Sequence, residues 1–324
     1  MRAGIVKKSK ILIVGHADAI EMSLVRGLYR RGFSSVLSST ELSLNPLDGK
    51  ALRAFMDRER PEFVILSSVR AGGIAANQAH GAEFMFENLQ AQNNVIDFSY
   101  RVGVKKLLFL AASCVYPQDC PQPIKEEYFL TGTMEKISEP YSMAKAAGVV
   151  MCQAYFKQYG FPAISAVPAT VYGPAPERDL EEAHVMGALI GKLRKAAKMG
   201  TRHVELWGSG KPRREFIFGD DLTEACLFLL ERYHSPELIN IGTGIDVEIG
   251  ELAAVIASIV GYRGQITWDK TRPDGVMRKL LDSSRIKSLG WNAPTGLREG
   301  ISATCEAGLE EQTFVVKRSL FNLP

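Results

Sequence analysis

The chain has 324 residues, 46% of them hydrophobic and 23% charged, a length and balance that suit a soluble protein of one large domain or two ordinary ones. Its 39 Lys and Arg against 36 Asp and Glu leave a net charge of +3 spread along the chain, which excludes a dedicated nucleic-acid binder with its dense basic patch. No apolar run approaches the roughly 18–20 residues a membrane span needs, so no membrane partner is expected. Cys114, Cys120, Cys152, Cys226 and Cys305 form neither a C-x-x-C pair nor a metal-ligand spacing, so no metal site is expected. An odd, scattered set of cysteines fits a reducing cytoplasm, and residues 1–8 are too short and polar for a secretion signal.

Lys10-Ile-Leu-Ile-Val-Gly15 is a short, β-branched apolar run ending in glycine and predicts a buried strand. Residues 19–31 carry helical apolar spacing through Ile20, Leu24 and Leu28. A second strand over 34–38, a helix over 48–58 and a third strand over 63–67 follow. A glycine turn at 70–73 leads to a long helix near 82–102, and Lys106-Leu-Leu-Phe-Leu-Ala111 reads as a fourth strand. Alternation of this kind implies a parallel sheet with helices on both faces, whose ligands bind beyond the carboxyl ends of the strands. Gly15, residues 67–73 and residues 111–117 all fall at such ends.

A long, proline-containing loop over 118–140 precedes a helix from Tyr141 to about Tyr159, and a fifth strand is expected over 163–167. Further along, helices are expected near 183–198, 220–232, 248–262 and 296–310. Strands are expected into Trp207, over 238–242 and over 265–268, with Arg213-Arg-Glu-Phe216 leading into the 220–232 helix. Tyr141 and Lys145, at i and i+4, share one helix face. A lysine ammonium beside a phenol favours the phenolate, which makes Tyr141 a candidate proton donor or acceptor next to a carbonyl or alcohol. Alone, a Tyr-x-x-x-Lys pair occurs by chance on many solvated helices.

The context is more specific. Ala71-Gly-Gly-Ile-Ala-Ala-Asn77, Ser113-Cys-Val-Tyr-Pro117, Glu139-Pro-Tyr-Ser-Met-Ala-Lys145-Ala-Ala-Gly148, His184-Val185, Trp207-Gly-Ser-Gly, Arg214-Glu-Phe216, Ile241-Gly-Thr-Gly-Ile-Asp246 and the run from Pro273 to Asp282 occur in that order. Together they resemble the extended short-chain dehydrogenase/reductase family, and within it the GDP-L-fucose synthase group of 3,5-epimerase-reductases, from about residue 10 to about residue 310. The resemblance implies an α/β fold: a Rossmann-type doubly wound parallel sheet over 1–172, to which segments such as 216–242 return, with 173–324 forming mostly a smaller α+β substrate-binding region. It implies a nucleotide-sugar substrate, GDP-linked, and proton exchange at the carbons beside a 4-keto group. Tyr141 and Lys145 would serve hydride transfer, and Cys114 and His184 would exchange the protons. Lys192, Trp207, Arg214 and Lys279 would contact the nucleotide and diphosphate. Gly15, Ser113 and Lys145 would touch an NADP or NAD cofactor. Family members dimerise through the long helix before the fourth strand and the Tyr141 helix, where Met143, Ala146, Val150, Met151 and Ala154 would allow a homodimer.

The departures gather at the cofactor end. Of the family's Gly-x-x-Gly-x-x-Gly turn only Gly15 remains, Asp18 and Glu21 standing at the second and third positions. A carboxylate ~5 Å from a phosphate charge costs roughly 3 kcal/mol at an effective dielectric of ~20, more than a hundredfold in affinity. Asp18-Ala-Ile-Glu21 instead matches a capping box, with the helix satisfying its own first amides. The family's arginines for a 2′-phosphate are also missing, with Ala17 after His16 and Val36-Leu-Ser-Ser-Thr-Glu41 after the second strand, where Glu41 is a candidate for a ribose hydroxyl. The family's catalytic Ser or Thr is Ala112, and Ser113, its neighbour in an extended segment, points the other way. The dinucleotide site is therefore expected to be closed or weak, with epimerisation the surviving half of the chemistry. The alternatives are the full epimerase-reductase reaction with NADPH held by a rearranged turn, a catalytically silent relative that binds a sugar nucleotide or a partner enzyme as a scaffold or regulatory subunit, and recruitment of the fold to different chemistry.

Overall fold

The computed structural model describes residues 4–16, 18–175, 184–272 and 274–307. Ala17, Ala183, Pro273 and the 308–310 end of the helix expected to reach Glu310 lie outside the described residues.

The first half alternates β1 (Ile11–Val14), α1 (Ala19–Arg30), β2 (Val36–Ser38), α2 (Gly49–Glu59), β3 (Phe63–Leu66), α3 (Ile74–Ala79), α4 (Gly81–Val102), β4 (Lys106–Leu110), α5 (Glu139–Tyr159) and β5 (Ala163–Pro168). Then come β6 (Thr170–Tyr172), α6 (Val185–Met199), β7 (His203–Trp207), β8 (Arg213–Phe218), α7 (Gly219–Arg232), β9 (Ile239–Ile241), β10 (Asp246–Glu248), α8 (Ile249–Val260), β11 (Gln265–Asp269), β12 (Arg278–Lys279) and α9 (Ser284–Ser288). A last helical stretch runs over 297–307.

Six strands form one parallel sheet in the order β2-β1-β3-β4-β5-β9. Every residue of β1, β3, β4 and β5 is buried, because helices cover both faces and leave no side for water. Lys106 in β4 is accommodated because its ammonium donates to the Leu229 and Leu230 carbonyls at the C-terminal end of α7 (2.9 and 2.8 Å). The chain leaves β1 for β2 on one side and returns to β3 on the other, so the crevice between Gly15 and Ser67 is the topological switch point where such sheets bind ligands.

A smaller sheet is organised by β8. Its first residues pair with β10 and β12 and its last three with β6. The register sets Arg214 beside Lys279. Along β8 the side chains alternate: Phe216 and Phe218 enter a second hydrophobic core with Leu193, Leu206, Leu252 and Ile256, whereas Ile217 joins the core of the large sheet. Residues 213–218 therefore form a strand rather than a lead into α7. β6, β10 and β12 were not expected from the sequence, being two or three residues long and held by β8 rather than by their own propensity. No helix among the described residues is long and apolar enough to cross a membrane.

Candidate active site

A cavity of about 770 Å³ opens at the switch point and extends under the smaller sheet. Ser113, Cys114, Tyr141, His184, Lys192, Trp207, Arg214 and Lys279 all lie on its walls. The structure thus brings together eight of the residues singled out above. Gly15 and Lys145 are not wall residues. Among the described residues, no group of three or more His, Cys, Asp or Glu side chains is placed to hold a metal ion.

Cys114 sits in a single 3₁₀ turn, Ser113–Val115, just past the end of β4. Burial pushes its thiol up, partly opposed by Lys279, by a hydrogen bond with Ser142 and by Lys145. The thiol is therefore the resting form at neutral pH. His184 is the N-cap residue of α6 and faces the same cavity from the second half of the chain. Tyr141 stands in the first turn of α5, its hydroxyl 2.7 Å from the Ser68 hydroxyl. Ser68 follows β3, 73 residues away in sequence, and was not anticipated. It supplies a hydroxyl beside Tyr141 where Ala112 has none.

The electrostatics of this pair differ from the reading of Tyr141 as a lysine-activated phenolate. Burial pushes the Tyr141 hydroxyl well above its ordinary value, with Cys114 and Asp18 adding to the rise and only the Ser68 hydrogen bond opposing it. Lys145 is fully buried, without a hydrogen-bond partner, its ammonium 4.2 Å from the centre of the Phe109 ring. Desolvation pulls its pKa from 10.5 down to about 7. Sharing a helix face does not make Lys145 a strong cation once burial has stripped it of water, and burial holds the proton on the Tyr141 hydroxyl.

Lys145 has a consequence for stability. Below about pH 7 it is protonated in both folded and unfolded chains and the folded state bears the cost of a buried charge. Between about 7 and 10.5 the unfolded chain holds the proton and the folded one has released it, so stability rises with pH through that window. Lys145→Met is expected to raise stability at pH 6 by roughly 3–5 kcal/mol, and the gain should shrink towards pH 10. Urea midpoints of both proteins across this range check it, and a difference that does not change with pH would contradict it.

β8 and β12 set Arg214 and Lys279 side by side on the same cavity, with Lys279 near Cys114. Glu135, from the long loop before α5, accepts from the Lys279 ammonium at 3.0 Å. Trp207 is partly exposed, with the Arg272 guanidinium 4.8 Å from its ring centre, and Trp268 lines the cavity nearby. An aromatic face, a stacked guanidinium and a cation pair suit a nucleobase joined to a diphosphate. Glu135, Arg272 and Trp268 carry no sequence signal of their own, since only the fold brings them to this wall.

The cavity also reaches the crevice between β1 and β3, where Asp18, Ala19, Ile20, Ser67 and Ser68 stand on its wall. One oxygen of the Asp18 carboxylate already accepts the Ile20 and Glu21 amides (2.9 and 3.0 Å). The expected capping box is only half present. The Glu21 side chain turns to the end of β2, where it accepts the Ser38 hydroxyl at 2.7 Å and the Thr40 hydroxyl at 2.5 Å. Glu41, the candidate for a ribose hydroxyl, is exposed and is not a wall residue.

Comparison with known proteins places this geometry in context. Residues 11–242 match the model of the NAD dependent epimerase/dehydratase family. GDP-L-fucose synthase 1 of Arabidopsis thaliana is 44% identical over 298 residues, 92% of each chain. The GDP-L-fucose synthase of Escherichia coli (strain K12) is 38% identical, covering 94% of this chain and 98% of that one. A GDP-mannoheptose C4 reductase from Campylobacter jejuni with NADP bound superposes with a TM-score of 0.85 at 36% identity, covering 94% of this chain and 99% of that one.

Proposed function

The chain belongs to the NAD dependent epimerase/dehydratase family, and from that premise we propose that it is a nucleotide-sugar epimerase of the GDP-L-fucose-synthase type, acting on a GDP-linked 4-keto-6-deoxy-hexose. The observation that carries the reading is the convergence of Cys114, His184 and Tyr141 on one cavity that also holds the Arg214 and Lys279 cations. Relatives named as synthases at 38–44% identity favour an enzyme over a silent scaffold.

A ketone acidifies the hydrogens on both neighbouring carbons. Inverting such a carbon needs a base on one face and an acid on the other. His184 as neutral imidazole removes the proton, the electron pair moves onto the ketone oxygen, and Cys114 returns a proton from its thiol to the opposite face. This leaves an imidazolium and a thiolate. A second exchange in the opposite sense, at the other carbon beside the ketone, restores both groups. Tyr141, kept protonated by burial, donates to the oxygen that becomes negative. The Arg214 and Lys279 side chains hold the diphosphate and Trp207 the base.

Incubating the protein with GDP-4-keto-6-deoxy-mannose in D2O tests the reading by mass spectrometry. Deuterium entering the sugar ring supports it, and an unlabelled sugar contradicts it. Ser68 holds the Tyr141 hydroxyl in place. Ser68→Ala is expected to slow this exchange roughly tenfold, about the worth of one lost hydrogen bond, and Ser68→Thr to retain most of the rate. Equal rates in all three proteins would remove Ser68 from the account.

The enzyme is proposed to act in the cytoplasm as a homodimer through α4 and α5. Met143 and Val150 are 46% and 44% exposed on α5, and Met85 and Phe86 are exposed on α4, which supports a shared face. Ala146 is buried within the protomer and does not belong to that face.

A further inference from the structure

We infer that Asp18 and Glu21 occupy the dinucleotide end of the crevice as built-in anions, so that this protein works without a redox cofactor and releases its product as a ketone. The second half of this statement rests on the epimerase reading.

A diphosphate bound at a switch point takes the first free amides of the helix after β1, and the ribose beyond it uses groups at the end of β2. Two of those amides and two hydroxyls at the end of β2 already have carboxylate partners here. Asp18 holds the Ile20 and Glu21 amides, and its second oxygen lies 3.5 Å from the His16 ring. Glu21 is 1% exposed. One of its oxygens accepts the Ser38 hydroxyl and the Thr40 amide (2.7 and 3.3 Å), and the other accepts the Thr40 hydroxyl. That second oxygen also lies 3.6 Å from where a side chain on Gly15 would begin, with the Ser67 hydroxyl closer still, so a side chain at Gly15 has no room. A buried carboxylate is tolerated only when its oxygens are satisfied, and three donors satisfy this one. Glu21 thus ties α1 to the end of β2, and Asp18, on the cavity wall, presents a carboxylate where an entering diphosphate would bring more negative charge.

Without a hydride donor the sugar carbon bearing the ketone stays oxidised. A separate pyridine-nucleotide-dependent reductase must consume the product, delivering hydride to that carbon and a proton to its oxygen while NADPH becomes NADP⁺.

NADPH titrated into the purified protein and followed by its fluorescence tests the closure directly. The wild type is expected to show no saturable binding up to about 1 mM, the weak limit of a specific complex. Asp18→Gly/Glu21→Gly, which empties both positions, is expected to bind at least a hundredfold more tightly. Asp18→Asn/Glu21→Gln, which keeps shape and hydrogen bonds while removing charge, is expected to gain at least tenfold and covers the case in which the glycine variant fails to fold. Micromolar binding by the wild type, or variants no tighter than wild type, would overturn the inference. Deuterium exchange separates the two readings: exchange that depends on NADPH removes the closed crevice and leaves the epimerase, whereas absent exchange with absent NADPH binding removes the epimerase and leaves the closed crevice.

Discussion

Cys114→Ala is expected to lower the rate of inversion beside the ketone by roughly 10²–10⁴-fold, the range for loss of a positioned proton donor. The thiol is held by a short turn past β4, on a wall shared with His184, and burial keeps it protonated in the resting protein. Removing the sulfur leaves one face of the sugar with no proton source. His184 can still take a proton and return it to the same face, so deuterium uptake without inversion should outlast inversion itself. Circular dichroism and urea midpoints show whether the variant keeps its fold, which is expected because Cys114 sits in a short turn past β4, outside the strands and helices of the core. Inversion at the parent rate in Cys114→Ala would remove the residue from the acid–base pair.

Tyr141→Phe is expected to cost roughly 10²–10³-fold in the same reaction, the loss typical of one donor to a developing oxyanion. The phenol is suited to this task because burial raises its pKa and keeps the proton on oxygen. It follows that the rate should not fall as pH rises through the ordinary tyrosine range near 10 on account of Tyr141. Phenylalanine keeps the ring and its edge-to-face contact with Phe84, so stability should change little beyond the lost bond to Ser68. A Tyr141→Phe protein with the parent rate would mean that another group stabilises the enolate.

The large sheet was legible because its strands are short apolar runs between glycines and helices, buried on both faces. The three strands held by β8 were not, since their stability comes from a partner far away in sequence. At the site, Tyr141 and Lys145 announce themselves by spacing, but burial dominates the protonation of each, which spacing does not encode. The Asp18-Ala-Ile-Glu21 pattern gave the cap on α1 correctly. It misdirected Glu21, because the hydroxyls of Ser38 and Thr40 offer a buried carboxylate better partners than the Asp18 amide. Ser68 and Glu135 reach the cavity from separate loops, which only the fold sets next to Tyr141 and Lys279.

The central claim is that centres beside a ketone are inverted with no hydride donor present. Purified protein incubated with GDP-4-keto-6-deoxy-mannose and no dinucleotide, then trapped with borohydride and resolved as sugar isomers, measures this directly. The account predicts sugars inverted at the carbons flanking the former ketone, formed without NADPH and unchanged in amount when it is added. Recovery of the starting configuration alone, or inverted sugars only when NADPH is supplied, would contradict it.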